Sequence, residues 1–309
     1  MKEVINVQKM AGKVGDWGDA NFSWEKALVA AEVARLAYLH IPQFELKNAN
    51  RVNLIPCAGY RSTVKVSGVT NIRSISNANE MVFVVESALV VAVVVHVGSV
   101  DFISLRGTQK LYDWFVNLNI LKSNPSYKKN MTVYFHGGFY KAIIGCLGQI
   151  ATEVDRRFGG NNPIYVTGHS LGGALAAILH ALCDERRYMK CGCDMDYFLG
   201  FYIDRMFSTE SCYTFGMPRY GNLKAVLYFR NPFHIFNEYD IVPSVPPRKF
   251  GYSDCFNEKC LSADGHVNEN IVRRGSFKKF IYKLATMKGF AEHDIELYID
   301  RVGKAVVGA

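Results

Sequence analysis

The stretch that decides the fold, residues 164–176, reads Ile164-Tyr165-Val166-Thr167-Gly168-His169-Ser170-Leu171-Gly172-Gly173-Ala174-Leu175-Ala176. It places the pattern Gly-x-Ser-x-Gly between a short β-rich run and a run of small residues with helical character. A serine on such a strand-to-helix turn has a strained backbone, and glycines two positions away on either side remove side chains that would collide. The first amides of the following helix point to the same place. Ser170 is therefore predicted to be a nucleophile, in an elbow with Gly168, His169 and Gly172; an ordinary surface serine at a helix start is the alternative.

The composition indicates a globular chain with a large core. The chain has 309 residues, of which 49% are hydrophobic and 21% are charged. Because no linker, repeat or low-complexity tract divides it, one α/β domain is expected over residues 1–309. Alternating strand and helix signals around Ser170 favour a mostly parallel sheet covered by helices, and such sheets carry their chemistry at the carboxyl ends of the strands.

The charge balance points to anionic partners. The chain has 36 Lys and Arg against 28 Asp and Glu, which gives a net charge of +8. Its basic residues are dispersed rather than interleaved with aromatics, so an anionic membrane surface is preferred over nucleic acid as a partner. The eight cysteines lack paired metal-ligand spacing, and Cys191 and Cys193 have no histidine nearby. No metal and no cofactor are expected.

The N-terminal segment predicts where in the cell the chain is found and which elements begin the fold. Met1 to Lys9 lacks the apolar region of a signal peptide, so a cytoplasmic start is expected, with export by a signal-independent route as the alternative. Ser23 is predicted to cap a helix over residues 24–39 in which Glu25 and Glu32 face away from the core. The alternation at residues 64–66 is typical of an edge strand.

Two apolar runs, residues 88–97 and 100–105, are separated by Gly98-Ser99, which predicts a hairpin. The second run leads into Thr108, which is expected to donate an amide to an oxyanion alongside the amide of Leu171. Residues at helical spacing follow, and they form either an ordinary core stripe or a lid that covers a lipid site: Leu111, Trp114, Phe115 and Leu118.

A nucleophilic serine needs a histidine base and a carboxylate to orient it, and in this type of sheet the acid and then the base follow the serine in the chain. Asp240 follows a buried strand and precedes a proline-stiffened segment, so it is preferred over Glu238. His293 begins a segment that Ile295, Leu297 and Tyr298 can anchor, and it is preferred over His266, which lies in a turn. His136 precedes the serine and is interpreted as a structural histidine.

Five motifs in order resemble the signatures of the class 3 lipases: Arg106-Gly107-Thr108 with Asp113-Trp114, His136-Gly137-Gly138-Phe139, Thr167 to Ala176, Thr214 to Asn222, and Asn237 to Pro243. The resemblance implies an α/β-hydrolase fold, with a lipase-like core over about residues 80–303 and a helical scaffold and irregular segment over about residues 1–79. It also implies Ser170 as nucleophile, Asp240 as acid and His293 as base. Thr108 and Leu171 would frame the oxyanion hole, and the segment from Gln109 to Leu121 would be the lid.

The expected function is hydrolysis of lipid carboxylic esters through an acyl-enzyme intermediate, by a lipase or a phospholipase A at a membrane or micelle surface. The positive charge and the long segment from Tyr188 to Glu210, which is either an added helix or a membrane-touching cap, favour anionic phospholipid. A soluble-ester esterase and a non-catalytic membrane- or protein-binding module are the alternatives. If the chain is exported as a toxin, an inhibitor protein is an expected partner.

Overall fold

A computed structural model describes the chain over residues 2–39, 50–52, 64–71, 81–86, 90–107, 122–123, 133–158, 162–183, 207–268 and 288–308. The helices are α1 (Lys2–Ala11), α2 (Trp24–Leu39), α3 (Gly137–Phe158), α4 (Leu171–Leu182), α5 (Leu223–Tyr228), α6 (Lys288–Ala291) and α7 (Ile295–Gly308). The strands are β1 (Asn50–Val52), β2 (Val64–Asn71), β3 (Met81–Glu86), β4 (Val91–Val97), β5 (Val100–Leu105), β6 (Lys122–Ser123), β7 (Phe135–His136), β8 (Ile164–His169), β9 (Ser211–Phe215), β10 (Phe233–Asn237), β11 (Glu258–Leu261) and β12 (Val267–Asn268).

Ten of these strands form one sheet in the order β1-β2-β3-β4-β5-β8-β9-β10-β11-β12. The central strands from β5 to β11 are parallel to one another, and antiparallel strands flank them on both sides. This is the α/β-hydrolase architecture that was expected, with helices between the parallel strands. The carboxyl ends of β8, β9 and β10 therefore lie side by side at one end of the parallel strands, which we call the carboxyl edge of the sheet.

The predicted hairpin is confirmed, because β4 and β5 pair antiparallel across the turn at Gly98, which has a φ of 66°. The interpretation of residues 64–66 as an edge strand is wrong. They begin β2, which pairs with β1 on one side and β3 on the other. The three residues of β1 carry no apolar run, so the sequence pattern did not reveal the strand that covers this edge.

Both faces of the sheet are buried, each against its own helices. Alternate residues of β4 and β5 face one layer with α3 and α4, including Ala92, Val94, Ile103 and Leu105. The intervening residues face a second layer with α1, α2 and α7, including Val91, Val93, Val95 and Phe102. Full burial of each large apolar side chain contributes about 1.5–3 kcal/mol, and these two layers hold the central strands in place.

Helix α2 is part of the core rather than an attached scaffold. It begins as predicted, with the Ser23 hydroxyl accepting a hydrogen bond from the Lys26 amide at 3.2 Å. In its middle, the Thr167 hydroxyl of β8 donates to the Ala30 carbonyl at 3.0 Å. The expectation that Glu32 faces away is wrong, because α7 packs over α2 and buries Glu32, whose carboxylate pairs with Arg35 at 2.8 Å.

Among the described helices, none combines the length and apolarity that a membrane span needs. Within the same residues, no group of His, Cys, Asp or Glu side chains could hold a metal ion. Cys191 and Cys193 lie outside the described residues, as does most of the segment from Tyr188 to Glu210.

Candidate active site

The turn between β8 and α4 forces Ser170 into an unusual backbone conformation. Among the described non-glycine residues, Ser170 alone has a positive φ, of 60°. A Cβ on Gly168 would lie 2.4 Å from the backbone of Gly172, and a Cβ on Gly172 would lie 1.9 Å from the carbonyl oxygen of Leu105. Both positions therefore require glycine, which is the steric role expected from the sequence. The turn projects the Ser170 side chain from the carboxyl edge of the sheet.

Asp240 and His293 meet at the same edge. Nδ1 of His293 lies 2.6 Å from Oδ2 of Asp240, and both side chains are buried. Asp240 follows β10, and His293 precedes α7 in the turn after α6. An ionised carboxylate accepts from a ring N–H, so this contact fixes the proton of neutral His293 on Nδ1 and leaves Nε2 as an acceptor.

The Asp240 carboxylate is held by two further donors, one of which the sequence did not single out as a site residue. The Tyr298 hydroxyl donates to Oδ2 at 2.6 Å, and the Val242 amide donates to Oδ1 at 2.9 Å. The Tyr298 oxygen in turn accepts the Asn237 amide at 3.1 Å. Tyr298 lies five positions after His293 on α7, and its sequence position predicts only that it anchors that helix.

The turn that carries His293 is tied to its surroundings on both sides. The Asn237 side-chain amide donates to the Glu292 carbonyl at 2.8 Å, and the Glu292 carboxylate pairs with Arg301 of α7 at 2.6 Å. The His293 carbonyl accepts from Nε2 of His169 at 2.7 Å. These contacts fix the backbone of the histidine, so its imidazole has a defined direction.

Ser170 and His293 flank the carboxyl end of β9. The Ser170 amide donates to the Phe215 carbonyl at 2.9 Å. A Cβ on the next residue, Gly216, would lie 2.9 Å from Cε1 of His293 and 2.7 Å from Oδ2 of Asp240. Oγ of Ser170 and Nε2 of His293 are both buried without a hydrogen-bond partner among the described residues. Buried polar atoms are seldom left unpaired, and hydrogen bonds in active sites without substrate are often long.

The loop after β5 lies directly against the nucleophile. A Cβ on Gly107 would lie 3.1 Å from Cβ of Ser170 and 2.7 Å from the His169 carbonyl oxygen. Leu171 is the first residue of α4, so its amide has no partner within the helix. This amide, at the turn that holds Ser170, suits the binding of an oxyanion. The second predicted oxyanion donor, Thr108, lies outside the described residues, as do the four predicted lid residues Leu111, Trp114, Phe115 and Leu118.

The alternatives to the acid and the base lie elsewhere. The imidazole of His266 is 87% exposed and lies 3.5 Å from Asp264. Glu238 precedes Asp240 by two residues, and it is Asp240 that is bound to Nδ1 of His293. The imidazole of His136 is buried, stacks on Phe139 with 3.7 Å between ring centroids and accepts the Phe139 amide through Nδ1 at 3.5 Å.

His169, like Tyr298, makes contacts in the site that the sequence did not predict. Its ring lies 4.5 Å from that of His293 between centroids. Burial, and secondly the electrostatic interaction with the neighbouring His293 ring, hold the pKa of His169 well below its usual range. His169 is therefore neutral at pH 7, so it bridges the turns of Ser170 and His293 without adding a charge.

Comparison with known proteins gives a match to one family. Residues 102–250 match the model of a family described as Lipase (class 3). The chain is 30% identical over 115 residues to Toxin TseL of Vibrio cholerae serotype O1, and this match covers 37% of the chain and 15% of TseL.

Two solved structures resemble the chain. A triacylglycerol lipase whose catalytic centre is a serine protease triad is 24% identical, with a TM-score of 0.44, and the match covers 58% of this chain and 64% of that one. MDLA of Penicillium cyclopium is 17% identical, with a TM-score of 0.49, and the match covers 78% of this chain and 82% of that one. The chain therefore spans less than two thirds of the length of both TseL and the triacylglycerol lipase.

Proposed function

We propose that this chain, whose residues 102–250 match the class 3 lipase family model, hydrolyses carboxylic esters of lipids by an acyl-enzyme mechanism. The observation that carries the proposal is the buried contact of 2.6 Å between His293 and Asp240, beside a serine held at a φ of 60°. A base, the acid that orients it and a serine on a strained turn lie at the same end of the parallel strands. They form the minimum set for nucleophilic attack on an acyl carbon.

The proposed reaction assigns one role to each group. Nε2 of His293 removes the Ser170 proton as Oγ attacks the ester carbon, and Asp240 stabilises the imidazolium that forms. The amides of Leu171 and Thr108 bind the negative oxygen of the tetrahedral intermediate. The imidazolium then protonates the departing alcohol. Water attacks the acyl-enzyme with His293 again acting as the base, which releases the fatty acid and restores Ser170.

Exposed side chains in the segment that follows β10 support a lipid surface as the place of action. Tyr239, beside Asp240, is 50% exposed, and Phe250 is 41% exposed with the Lys249 ammonium 5.2 Å from its ring. Arg248 lies next to them, and its guanidinium pairs with Asp254. Aromatic and cationic groups together suit the headgroup region of an anionic membrane, and the net charge of +8 acts in the same direction. The proposed substrate is therefore an anionic phospholipid, and the lid residues from Leu111 to Leu118 would cover its acyl chain.

Product analysis tests the activity. Vesicles of mixed phospholipid and an emulsion of triacylglycerol are incubated with the wild-type chain and with Ser170→Ala, and released fatty acids and lysolipids are measured by mass spectrometry. Ser104→Ala is the matched control, because Ser104 is also a buried serine whose hydroxyl has no partner among the described residues, on the adjacent strand β5. Hydrolysis should vanish in Ser170→Ala and persist in Ser104→Ala. Retained hydrolysis in Ser170→Ala would end the proposal.

Further measurements on the same chains distinguish the alternative functions. Hydrolysis that does not rise when the ester passes from monomer to micelle or vesicle would indicate a soluble-ester esterase. A wild-type chain that neither hydrolyses esters nor reacts at Ser170 with an organophosphonate would indicate a non-catalytic binding module. The ratio of lysolipid to diacylglycerol distinguishes a phospholipase A from a triacylglycerol lipase.

A toxic role is a second proposal, favoured by the identity of 30% to a protein named Toxin TseL. The chain would reach the membrane of another cell by a signal-independent route, and the producing cell would hold an inhibitor protein. Expression directed to the periplasm should then slow growth, whereas expression in the cytoplasm should not. Ser170→Ala in the periplasm is the control, and equal growth in all three strains would contradict the proposal.

A further inference from the structure

Tyr38, on the last turn of α2, contacts the nucleophile turn from outside the segment that matches the lipase family. Its hydroxyl lies 3.1 Å from Nδ1 of His169 and 3.4 Å from the His169 carbonyl oxygen. The backbone of Gly107 lies against the same phenol oxygen. A Cβ on Gly107 would lie 2.3 Å from this oxygen, so the close approach requires glycine there.

The direction of each hydrogen bond follows from the chemistry of the groups. Nε2 of His169 lies 2.7 Å from the His293 carbonyl oxygen, which can only accept, so Nε2 carries the proton. Because burial keeps His169 neutral, its Nδ1 is an acceptor, and the Tyr38 hydroxyl donates to it. Burial also raises the pKa of Tyr38, so the phenol keeps the proton it donates.

A chain of hydrogen bonds therefore runs from Tyr38 through His169 to the His293 backbone, and the Gly107 backbone packs against the Tyr38 oxygen. Together these contacts join the loop of the proposed oxyanion hole, the turn of the nucleophile and the turn of the base. These three segments are far apart in sequence, and α2 brings the phenol to the place where they meet. Loss of one buried donor would leave Nδ1 of His169 unpaired and would free the ring to turn.

We propose that Tyr38 is a positioning residue that sets the relative placement of Gly107, Ser170 and His293 through His169. The inference rests on the proposed function, because positioning has meaning only if these groups react. Displacements of about 1 Å in such a site lower turnover about 100-fold, whereas a phenol that acts through His169 needs no contact with the substrate. Tyr38 therefore acts on kcat and not on KM.

The test compares Tyr38→Phe with Tyr165→Phe and the wild type. The hydroxyl of Tyr165 is also buried and donates to the Trp17 and Asp19 carbonyls at 2.9 and 3.0 Å, at the start of β8 and away from its catalytic end. For each chain, kcat and KM are measured on a short-chain nitrophenyl ester. Active sites are titrated with a nitrophenyl phosphonate, and the thermal unfolding midpoint is recorded.

We expect Tyr38→Phe to lower kcat about 10- to 100-fold with KM unchanged. The phosphonate should still titrate one site per chain but at a rate lowered in parallel. Tyr165→Phe should keep the wild-type kcat, even where its unfolding midpoint falls as much as that of Tyr38→Phe. A wild-type kcat in Tyr38→Phe would overturn the inference. An equal loss of kcat in Tyr165→Phe would also overturn it, and so would a loss of kcat that matches a fall in the number of titratable sites. A wild-type chain that neither hydrolyses the ester nor reacts with the phosphonate would overturn the proposed function itself.

A double-mutant cycle with His169→Asn gives a second readout. Because the phenol acts through His169, the double variant should lose little more kcat than His169→Asn alone. If the fold-losses of kcat in the two single variants multiply in the double variant, Tyr38 only stabilises α2, and the inference is overturned.

Discussion

Nδ1 of His293 lies 2.6 Å from Oδ2 of Asp240, and the exposed fractions of the two side chains are 4% and 0%. The contact joins residues 53 positions apart, and the dry surroundings strengthen it. Its burial and its position beside the Ser170 turn give the proposed chemistry its geometry.

Asp240→Asn should lower kcat by about 10³- to 10⁴-fold while leaving the fold intact, because an amide does not fix the histidine proton on Nδ1 as a carboxylate does. Ester hydrolysis and circular dichroism of the purified variant check this. Glu238→Gln is the matched control, since it neutralises the neighbouring carboxylate that was the alternative acid. Loss of activity in Glu238→Gln with retention in Asp240→Asn would reverse the assignment.

Gly216→Ala should abolish hydrolysis. Gly216 has a φ of 55°, and a new Cβ would lie 2.7 Å from Oδ2 of Asp240 and 2.8 Å from the Tyr298 oxygen. Gly98→Ala is the control, because Gly98 has a similar φ of 66° but its Cβ would meet no atom within 4 Å. Both variants should lose about 1–3 kcal/mol of unfolding free energy from backbone strain, measured in urea. Only Gly216→Ala should lose turnover, and equal turnover in the two variants would contradict the placement of Gly216.

The stability of the chain should fall as the pH decreases below neutrality. Burial lowers the pKa of His136 from 6.5 to about 4, and burial followed by the charge of Arg230 lowers that of His180 to about 3. Below pH 6.5 these two histidines are protonated in the unfolded chain but not in the folded chain. Their contribution to the free energy of unfolding is therefore fully present above pH 6.5 and is lost as the pH falls toward the lowered pKa values. Each histidine contributes a slope of up to about 1.4 kcal/mol per pH unit.

Urea unfolding at pH 7.5, 6.5, 5.5 and 4.5 measures this slope. His136→Asn keeps an acceptor for the Phe139 amide but cannot titrate, so the slope between pH 6.5 and 4 should become shallower. An identical slope in the variant and the wild type would show that His136 does not resist protonation in the folded chain.

Tyr239→Ser should weaken binding to anionic vesicles several-fold and leave hydrolysis of a short monomeric ester unchanged, because Tyr239 is half exposed at the carboxyl edge of the sheet. Co-sedimentation with phosphatidylglycerol vesicles measures binding. Phe256→Ser is the control, since Phe256 is 57% exposed but precedes β11, at the opposite edge. Equal loss of binding in both variants would indicate that the apolar surface as a whole, and not this edge, contacts the membrane.

The strand-to-helix turn at Ser170 was predictable from sequence because its requirements are local. Two glycines, a β-rich run and a small-residue helix must lie in sequence around the serine, and each appears in the printed chain. The hairpin at Gly98 and the cap at Ser23 are local in the same sense, and both were confirmed. The order of serine, acid and base also limited the acid to Asp240 or Glu238 and the base to His293 or His266, with Asp240 and His293 preferred, before any geometry was known.

The contacts across the sheet edge were not predictable, because they join residues whose separation in sequence carries no periodic signal. Tyr298 reaches Asp240, and Tyr38 reaches His169 across 131 positions, only after α7 and α2 have packed against the sheet. The burial of Glu32 has the same origin, since α2 alone cannot show that α7 covers its polar face. The sequence by itself determined which residues can react and the turn that carries the nucleophile. Tertiary packing alone decided which side chains hold the proposed acid, the proposed base and the loop after β5, because those side chains become neighbours only when distant helices close over the sheet.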